Sequence, residues 1–561
     1  HHSHMGGPIG RFFDWFNVRF DRGAARYQRG VGGILRRPAR FMLVYGALAV
    51  AMGLLFLRIP GSFLPDEDQG VLMAMVQAPA GATQERTLES MYKLEDYFLE
   101  QEKDNVESVM AIQGFSFAGA GQNMGMAFVK LKDWSERTTP ESQAGAIAGR
   151  AMGALMQIKD AMVFAFSPPP MPELGTSTGF TFYLQDNAGL GHEALLAARN
   201  QFLGMAAQSK LLTAVRPNGM EDTPQLRVVV DPQQAESLGV PVGAINSTLA
   251  VAWGGAYVDD FIDRGRVKRV YMQADAPFRM VPEDFLKWSV RNNTGEMVPF
   301  SAFATSRWEY GSPRLERYNG MPAMQVQGEG APGVSSGESM DEVEALVAQL
   351  PPGIGMEWTA MSYQERQAGS QTTLLYILSL LIVFLALAAL YESWSVPTAV
   401  LMVAPLGILG TALASNFRGF ERDVYFQVGM LTTIGLTSKN AVLIIEFAKQ
   451  NFEQHGMPLV ESIMQAVRDR LRPIIMTSLA FGLGVLPLAI ATGAGSGAQR
   501  VIGTSVLGGM IVGTALGVFF IPLFYLVVTR LFARGKRAEA DAAVPHAPDA
   551  PPPALPEGEA R

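Results

Sequence analysis

The sequence has 561 residues, a formal net charge of -7 and 48% hydrophobic residues. A net acidic chain lacks the basic footprint of a nucleic-acid-binding protein. It contains no cysteine, which excludes a disulfide framework, a thiolate metal site and a thiol nucleophile. The apolar residues are concentrated in long runs. Between them, roughly from Gly61 to Gln371, lies a mixed-pattern block of about 300 residues, large enough for several small domains.

The first residues, 1–37, are predicted to form a cytoplasmic amphipathic segment. Aromatic residues are interspersed with arginines there, for example Trp15 and Phe20 beside Arg19 and Arg22. This composition is typical of a helix that lies on a membrane surface. The chain starts with HHSHM, a tag scar or a native linker, and not with Met, so we expect it to be part of a longer polypeptide.

Six apolar runs are long enough to cross a hydrocarbon core as helices. They lie at about 41–57, 373–391, 396–416, 424–447, 473–494 and 503–529. The sequence thus predicts a first membrane segment at 38–59 and a cluster of five at 371–530. Basic residues crowd 11–40, 448–472 and the stretch after the last span, which places these parts in the cytoplasm and the large block outside it. Residues 531–561, rich in Ala and Pro, are predicted to be a disordered cytoplasmic tail.

The external block alternates strand and helix patterns. Strands at 71–79, 106–115, 125–134 and 161–166, with helices at 83–99 and 144–156, follow the order of a ferredoxin-like split βαβ unit. A second unit begins near 179, is interrupted, and resumes at 321. The predicted fold is therefore an α-helical membrane bundle of six helices plus an α+β external domain. That domain has one subdomain at 60–171, a second at 172–219 and 321–361, and an inserted subdomain at 220–320.

Lys439 is a charged residue near the middle of the apolar run at 424–447. A lysine at the centre of a membrane helix costs about 2.5–3.5 kcal/mol, so it needs a partner or a task. Glu446 lies seven residues away, about 10 Å along the helix axis, which is too far for a direct ion pair. We therefore expect Lys439 to belong to a proton or ion pathway shared with helices outside this chain, unless its amine snorkels to the interface.

Long motifs in one order connect the sequence to a known family. The external block contains FLPDEDQG (63–70), PAGATQERT (79–87), GFSFAGAGQN (114–123) and AWGGAYVDDFIDRGRVKRVY (252–271). The membrane part contains DVYFQVGMLTTIGLTSKNAVLIIEFAK (423–449) and RLRPIIMTSLAFGLGVLPLAIATGAGSGAQ (470–499). Over residues 11–535 the chain resembles the C-terminal half of a resistance-nodulation-division (RND) multidrug efflux pump of the hydrophobe/amphiphile type. The resemblance implies a porter role for the two α+β subdomains and a docking and trimerisation role for the inserted one.

The resemblance also implies a proton relay of Lys439, Arg470 and Thr477. Its paired aspartates would lie on the fourth helix of the companion half. For Arg470 the alternative is an ordinary arginine at the inner interface, and for Thr477 a hydroxyl bonded back to its own helix.

A substrate pocket on the external domain is implied as well. The matching positions are Met110, Phe115, Phe117, Phe128, Phe164, Phe166, Glu173 and Arg216. Aromatic and Met side chains suit loose recognition of apolar shapes. Phe115 and Phe117 lie in a Gly-rich loop that we interpret as a mobile gate, with a buried strand end as the alternative. Phe164 and Phe166 face one side of a strand, and their alternative is plain core. At Met110 well-known members have a phenylalanine, which puts the substrate preference in doubt.

The function implied is proton/drug antiport, driven by the proton-motive force without a cofactor or enzymatic step. The pump would reside in the inner membrane of a Gram-negative bacterium, with a large periplasmic domain. Its partners would be the N-terminal half, two further copies in a homotrimer, a periplasmic adaptor, an outer-membrane channel, the lipid bilayer and small-molecule drugs, but no nucleic acid. Two alternatives remain, a heavy-metal exporter of the same family and a membrane-anchored assembly or binding subunit that transports nothing.

Overall fold

A computed structural model describes residues 8–65, 67–171, 174–175 and 178–542. It begins with helix α1 (Pro8–Arg36), followed after one residue by α2 (Pro38–Arg58). The second half of α1 does not lie wholly on the membrane surface, because Val31 and Leu35 are buried against the membrane helices. Trp15, by contrast, is exposed, as expected for the amphipathic segment.

The first external subdomain is a four-stranded sheet with helices on one face. Its elements are β1 (Val71–Gln77), α3 (Gln84–Asp96), β2 (Val106–Ser116), β3 (Gly119–Leu131), α4 (Ala144–Leu155) and β4 (Met162–Phe166). The strand order is β2-β3-β1-β4, with every neighbouring pair antiparallel, which is the order of a split βαβ unit. Alternation puts residues such as Leu72, Ala74 and Val129 on the helix-facing side, where they form the core with Leu94 and Ile147.

The second external subdomain is built from two separated stretches of chain. The first contributes β5 (Phe180–Asp186), α5 (His192–Ala206) and β6 (Leu212–Pro217). The second contributes β14 (Met321–Gly330), α8 (Ser336–Val347) and β15 (Ile354–Trp358). Both β15 and β14 pair with β5, while β6 pairs with the other side of β14. Phe182, Phe202 and Val326 are fully buried in the core of this subdomain.

Residues Gly219–Arg317 form a separate compact unit. The sequence predicts the inserted subdomain at 220–320. The unit contains β7 (Thr223–Val230), α6 (Pro232–Ser237), α7 (Val242–Leu249), β8 (Ala256–Asp263), β9 (Arg266–Met272), β10 (Ser289–Arg291), β11 (Met297–Pro299) and β12 (Ala304–Gly311). A short strand β13 (Glu316–Tyr318) crosses its C-terminal boundary. Ile245, Phe285 and Phe300 are buried in its core. Strands β8 and β9 form a two-stranded hairpin with mostly exposed side chains.

The rest of the chain is helical, in α9 (Ala360–Tyr391), α10 (Ser395–Leu401), α11 (Ala404–Arg418), α12 (Val424–Glu453), α13 (Leu459–Ala489) and α14 (Ser496–Ala542). Helices satisfy all backbone hydrogen bonds internally, as a lipid environment requires. Among the described residues six spans are long and apolar enough to cross a membrane: Pro38–Arg58, Leu374–Tyr391, Ser395–Arg418, Val424–Glu453, Leu459–Ala489 and Ser496–Phe532. Helix α14 packs against α10 to α13.

Several element boundaries differ from the sequence prediction, and three of them concern the membrane part. Helix α13 ends at Ala489 and not at 494, because the chain turns there through Gly493 and Gly495, both with positive φ. Helix α9 starts at Ala360, well before its membrane span. The structure continues α14 to Ala542, so it has helix at 531–542 where the composition predicted disorder, and residues 543–561 lie outside the described residues.

Candidate functional site

One face of the first external sheet carries four of the eight residues predicted to bind substrate. Residues directly opposite each other in antiparallel strands share a face. The register aligns Met110 with Phe128, Phe128 with Met73, and Met73 with Phe166, so these four side chains form one row across the sheet. Two residues along, a second row on the same face consists of Ile112, Met126, Met75 and Phe164.

Phe164 and Phe166 do not belong to the helix-packed core of this subdomain. Their neighbours on the strand, Val163 and Ala165, point the other way and are buried among α3 and α4. Phe166 is buried and Phe164 is half-buried, on the face that carries the Met and Phe rows. Both rings therefore lie outside the helix-packed cluster, although Phe166, at 6% exposed, is as buried as a core residue. Their role in substrate binding stays a prediction.

Both rings are approached by Arg216 on β6, in the second external subdomain. Its guanidinium carbon lies 4.8 Å from the centroid of the Phe164 ring and 5.9 Å from that of Phe166. A guanidinium over aromatic rings is attracted by their negative faces. Burial lowers the pKa of Arg216 from its usual value, while the charge of Glu329 opposes that effect. Arg216 thus joins the two subdomains at the aromatic face.

A cavity of about 360 Å³ lies beside this contact. Its lining includes both rings, Arg216, Glu329 and Glu67, together with small residues of α4 such as Gly145. The lining thus combines aromatic and small residues with four charged side chains, and convergent polar groups orient ligands in small-molecule sites. Chemically, the arrangement suits an amphiphile, whose apolar body contacts the rings while the charged groups orient its polar end. Glu173, the remaining predicted residue of this region, lies outside the described residues.

The predicted gate loop at 114–123 is the tip of a β-hairpin. Strand β3 begins at Gly119, and the ladder pairs Phe115 with Ala120 and Ser116 with Gly119. Gly114 has φ 94°, a conformation that favours glycine, and the register shifts between Gln113 and Phe115. The sequence missed this pairing because a Gly-rich stretch resembles a loop whether or not a partner strand is opposite.

The aromatic pair at the hairpin tip lies apart from the cavity lining. The rings of Phe115 and Phe117 are 6.4 Å apart and nearly perpendicular, at 78°. Phe115 is 47% exposed, which excludes the buried strand end considered for it. Neither ring lines the cavity beside Arg216, so the structure presents two aromatic surfaces in one subdomain.

Lys439 lies on an exposed side of α12 within this chain. Among the described residues no hydrogen bond or ion pair to its amine is found. The carboxylate of Glu446 instead interacts with Tyr391. The next residue, Asn440, is buried and points to Ser478 and Thr514 on the two neighbouring helices, at 3.5 and 3.4 Å.

Arg470 and Thr477 are not joined to Lys439 in the described part of the chain. The guanidinium carbon of Arg470 lies 3.3 Å from the centroid of the Phe447 ring, and its Nε has no hydrogen-bond partner there. The hydroxyl of Thr477 donates to the carbonyl oxygen of Ile474 at 3.1 Å, which is the local bond considered for it. The relay role implied for these three residues stays a prediction.

The sequence comparisons identify the family of this chain. A family profile described as "AcrB/AcrD/AcrF family" matches residues 1–529. The chain belongs to this AcrB/AcrD/AcrF family of RND multidrug efflux pumps.

Relatives named for efflux share more than half of their aligned residues with this family member. "Multidrug export protein AcrF" of Escherichia coli (strain K12) is 56% identical over 533 residues, covering 95% of this chain and 51% of the relative. "Multidrug/solvent efflux pump membrane transporter MepB" of Pseudomonas putida is 55% identical over 541 residues, covering 96% and 51%. "Multidrug resistance protein MdtF" of Escherichia coli (strain K12) is 52% identical over 527 residues, covering 94% and 51%. The chain spans about half the length of these relatives.

Two groups of contacts in this AcrB/AcrD/AcrF-family chain escaped the sequence analysis. In the bundle, the hydroxyl of Thr411 donates to the carbonyl oxygen of Ser505 at 3.0 Å. The same hydroxyl lies 3.4 Å from the hydroxyl of Thr433. Outside it, the carboxylate of Glu67 accepts a hydrogen bond from the backbone N–H of Ala498 at 2.9 Å. Hydroxyl and glycine residues recur along these helices, and that pattern could have indicated the contacts in the bundle. No local pattern signals the second.

Proposed function

We propose that this chain is the C-terminal half of a proton-driven multidrug efflux pump of the RND type, which exports diverse organic compounds. The observation that carries the proposal is Lys439. It is a charged side chain in an apolar helix, on an exposed side of the chain's own bundle, with no partner among the described residues. An intramembrane charge without a structural partner is the feature expected of a transport pathway.

The missing counter-charges are proposed to lie in the N-terminal half of the same pump. The relatives are about twice as long as the span they share with this chain, which leaves room for a second repeat. Protonation of acids in that half would alternately form and release an ion pair with Lys439, and Arg470 and Thr477 would be the further members of the relay. Helix α12 would pass the change on to α13 and α14, which pack against it.

The compounds are proposed to bind at the Met and Phe face of the first external subdomain. Support comes from the cavity beside Arg216, whose size and mixed lining fit part of a drug-sized amphiphile. The wider assembly would be a homotrimer in the Gram-negative inner membrane, with a periplasmic adaptor and an outer-membrane channel. Energy would come from the proton-motive force, without a cofactor. The exposed β8–β9 hairpin is the segment proposed to contact a neighbouring copy.

The direct test replaces Lys439 in the complete pump. Lys439→Ala should lower proton-driven export of a fluorescent dye from energised vesicles by about 100-fold or more, the size expected when a proton-transfer group is removed. Lys449→Ala is the matched control, because Lys449 lies on the same helix and its amine contacts the Tyr391 carbonyl and Glu453. Dye export that survives Lys439→Ala with normal expression would refute the proton-relay role.

The same assay separates the two alternatives. A heavy-metal exporter would move a soft metal ion such as Ag⁺ and leave the dye inside. An assembly subunit would move neither, and Lys439→Ala would change only its association with partner helices. We prefer organic compounds because the candidate site combines aromatic rings with a guanidinium, which is chemistry for amphiphiles.

A further inference from the structure

Glu67 connects the candidate pocket to the outer end of a membrane helix. Its Oε1 accepts a hydrogen bond from the backbone N–H of Ala498 at 2.9 Å, in the first turn of α14. The first four N–H groups of a helix have no partner within the helix, and a carboxylate there is favoured by both the bond and the helix dipole. Glu67 therefore stabilises the point at which α14 begins.

The backbone beside Glu67 is fixed to the first external subdomain. Asp68 forms two hydrogen bonds with Arg137, at 2.8 and 3.0 Å, and accepts the N–H of Ala144 at 2.8 Å. Although burial raises the pKa of Asp68, these bonds hold it below its ordinary value. Trp134 donates to the Asp68 carbonyl at 3.1 Å, so the segment moves with the sheet. The hydrogen bond from Ala498 to Glu67 links this segment to helix α14.

The same carboxylate also lines the 360 Å³ cavity with Phe164, Phe166 and Arg216. The other charged side chains of the cavity already have partners. Arg216 lies over the two rings and interacts with Glu329, and Asp68 is bonded to Arg137. Glu67 is half-buried, and its hydrogen bond among the described residues is the one to Ala498. A positive group in the cavity would therefore meet Glu67 as a carboxylate whose hydrogen bond, among the described residues, is to a neutral N–H.

We infer that Glu67 is a positioning residue that couples occupancy of this pocket to the outer end of α14, and that the pocket selects organic cations with an apolar body. The cation competes with the first turn of α14 for the Glu67 carboxylate. The inference deepens the proposed function and rests on it for the meaning of the coupling. Helix α14 packs tightly on α12, where Gly509 and Gly513 meet Thr433 and Thr437. A change at the outer end of α14 is thereby passed to the helix that carries Lys439.

The first readout is hydrogen exchange at the start of α14 in the purified complete protein. The probes are tetraphenylphosphonium and triphenylphosphine oxide, which resemble each other in their phenyl rings but differ in net charge. The cation should speed exchange in peptides covering 495–503, because the Ala498 N–H loses its acceptor, whereas the neutral oxide should not. Glu67→Gln keeps an acceptor oxygen without the charge, so its exchange should no longer respond to the cation.

The second readout is affinity for the same two probes. Glu67→Gln should weaken tetraphenylphosphonium binding by about tenfold, the scale of one partly desolvated contact between opposite charges. Binding of the neutral oxide should stay within about twofold. Glu107→Gln is the matched control, since Glu107 is in the same subdomain and pairs with Lys130 on the exposed surface, at 2.8 Å. That control should bind both probes as the parent protein does.

Two results would overturn the inference. One is an exchange rate at 495–503 that does not change with the cation in the parent protein. The other is a Glu67→Gln variant that loses both probes equally, which would mean a structural cap only. Neither readout needs a proton gradient. A protein that passes both yet exports nothing in energised vesicles would refute the proposed function and leave the role of Glu67 standing. A working exporter that fails the exchange and affinity readouts would refute the role of Glu67 and leave the proposed function standing.

Discussion

Burial of Glu365 predicts that the local stability around it depends on pH. Glu365 lies on α9 before the membrane span, where its Oε1 accepts a hydrogen bond from the Ser336 hydroxyl at 2.7 Å. It lines a largely apolar cavity of about 670 Å³. Burial raises the pKa of Glu365 from 4.5 to about 7. The Ser336 bond and the charge of Arg366 oppose the rise, whereas Glu421 and Asp341 add to it.

The direction of the pH effect follows from proton binding. Between pH 4.5 and about 7 the folded protein holds a proton on Glu365 that an opened segment would release. Stability from this group is therefore complete below pH 4.5 and is lost as the pH rises through about 7. Each tenfold difference in proton affinity is worth about 1.4 kcal/mol, so the loss by pH 8 amounts to at most about 3 kcal/mol.

The assay is hydrogen exchange in peptides from the start of α8, next to Ser336. After intrinsic exchange rates are divided out, protection in the parent protein should fall by up to about 100-fold between pH 5 and pH 8. Glu365→Gln resembles the protonated acid and should keep its protection nearly constant. Glu344→Gln is the control, because Glu344 bonds to Trp358 and Arg366 at the surface. Equal pH slopes in the parent protein and Glu365→Gln would refute the reasoning.

Two further predictions concern the bundle. Pro522 has no N–H to bond the carbonyl four residues earlier, and the Tyr27 hydroxyl donates to that carbonyl at 2.7 Å, so Tyr27→Phe should lower the free energy of unfolding by about 1–3 kcal/mol. Urea titration in detergent measures this, and an unchanged midpoint would contradict it. A side chain at Gly508 would overlap Ala414, so Gly508→Leu should separate α11 from α14 and lower the thermal unfolding temperature by several degrees. Gly484→Ala, at a site with open space, should leave that temperature unchanged, and equal losses in both variants would refute the packing argument.

Local patterns explain most of what the sequence predicted correctly. The membrane helices follow from apolar runs, because a backbone in lipid must bond to itself. Phe164 and Phe166 could be placed on one side of a strand from the period of two alone. Lys439 has no partner among the described residues, as its seven-residue distance to Glu446 predicted, and the carboxylate of Glu446 interacts with Tyr391 instead.

Only the tertiary structure decided which of these elements meet. The register that sets Met110 and Phe128 in one row with Phe166 depends on strand pairing, and a slip of one residue would reverse every side chain. Arg216 reaches the aromatic face from another subdomain. Glu67 and Ala498 are 431 residues apart in sequence. Such contacts are selected by the packing of the whole chain, whereas a periodic pattern records only what each segment does with its nearest neighbours.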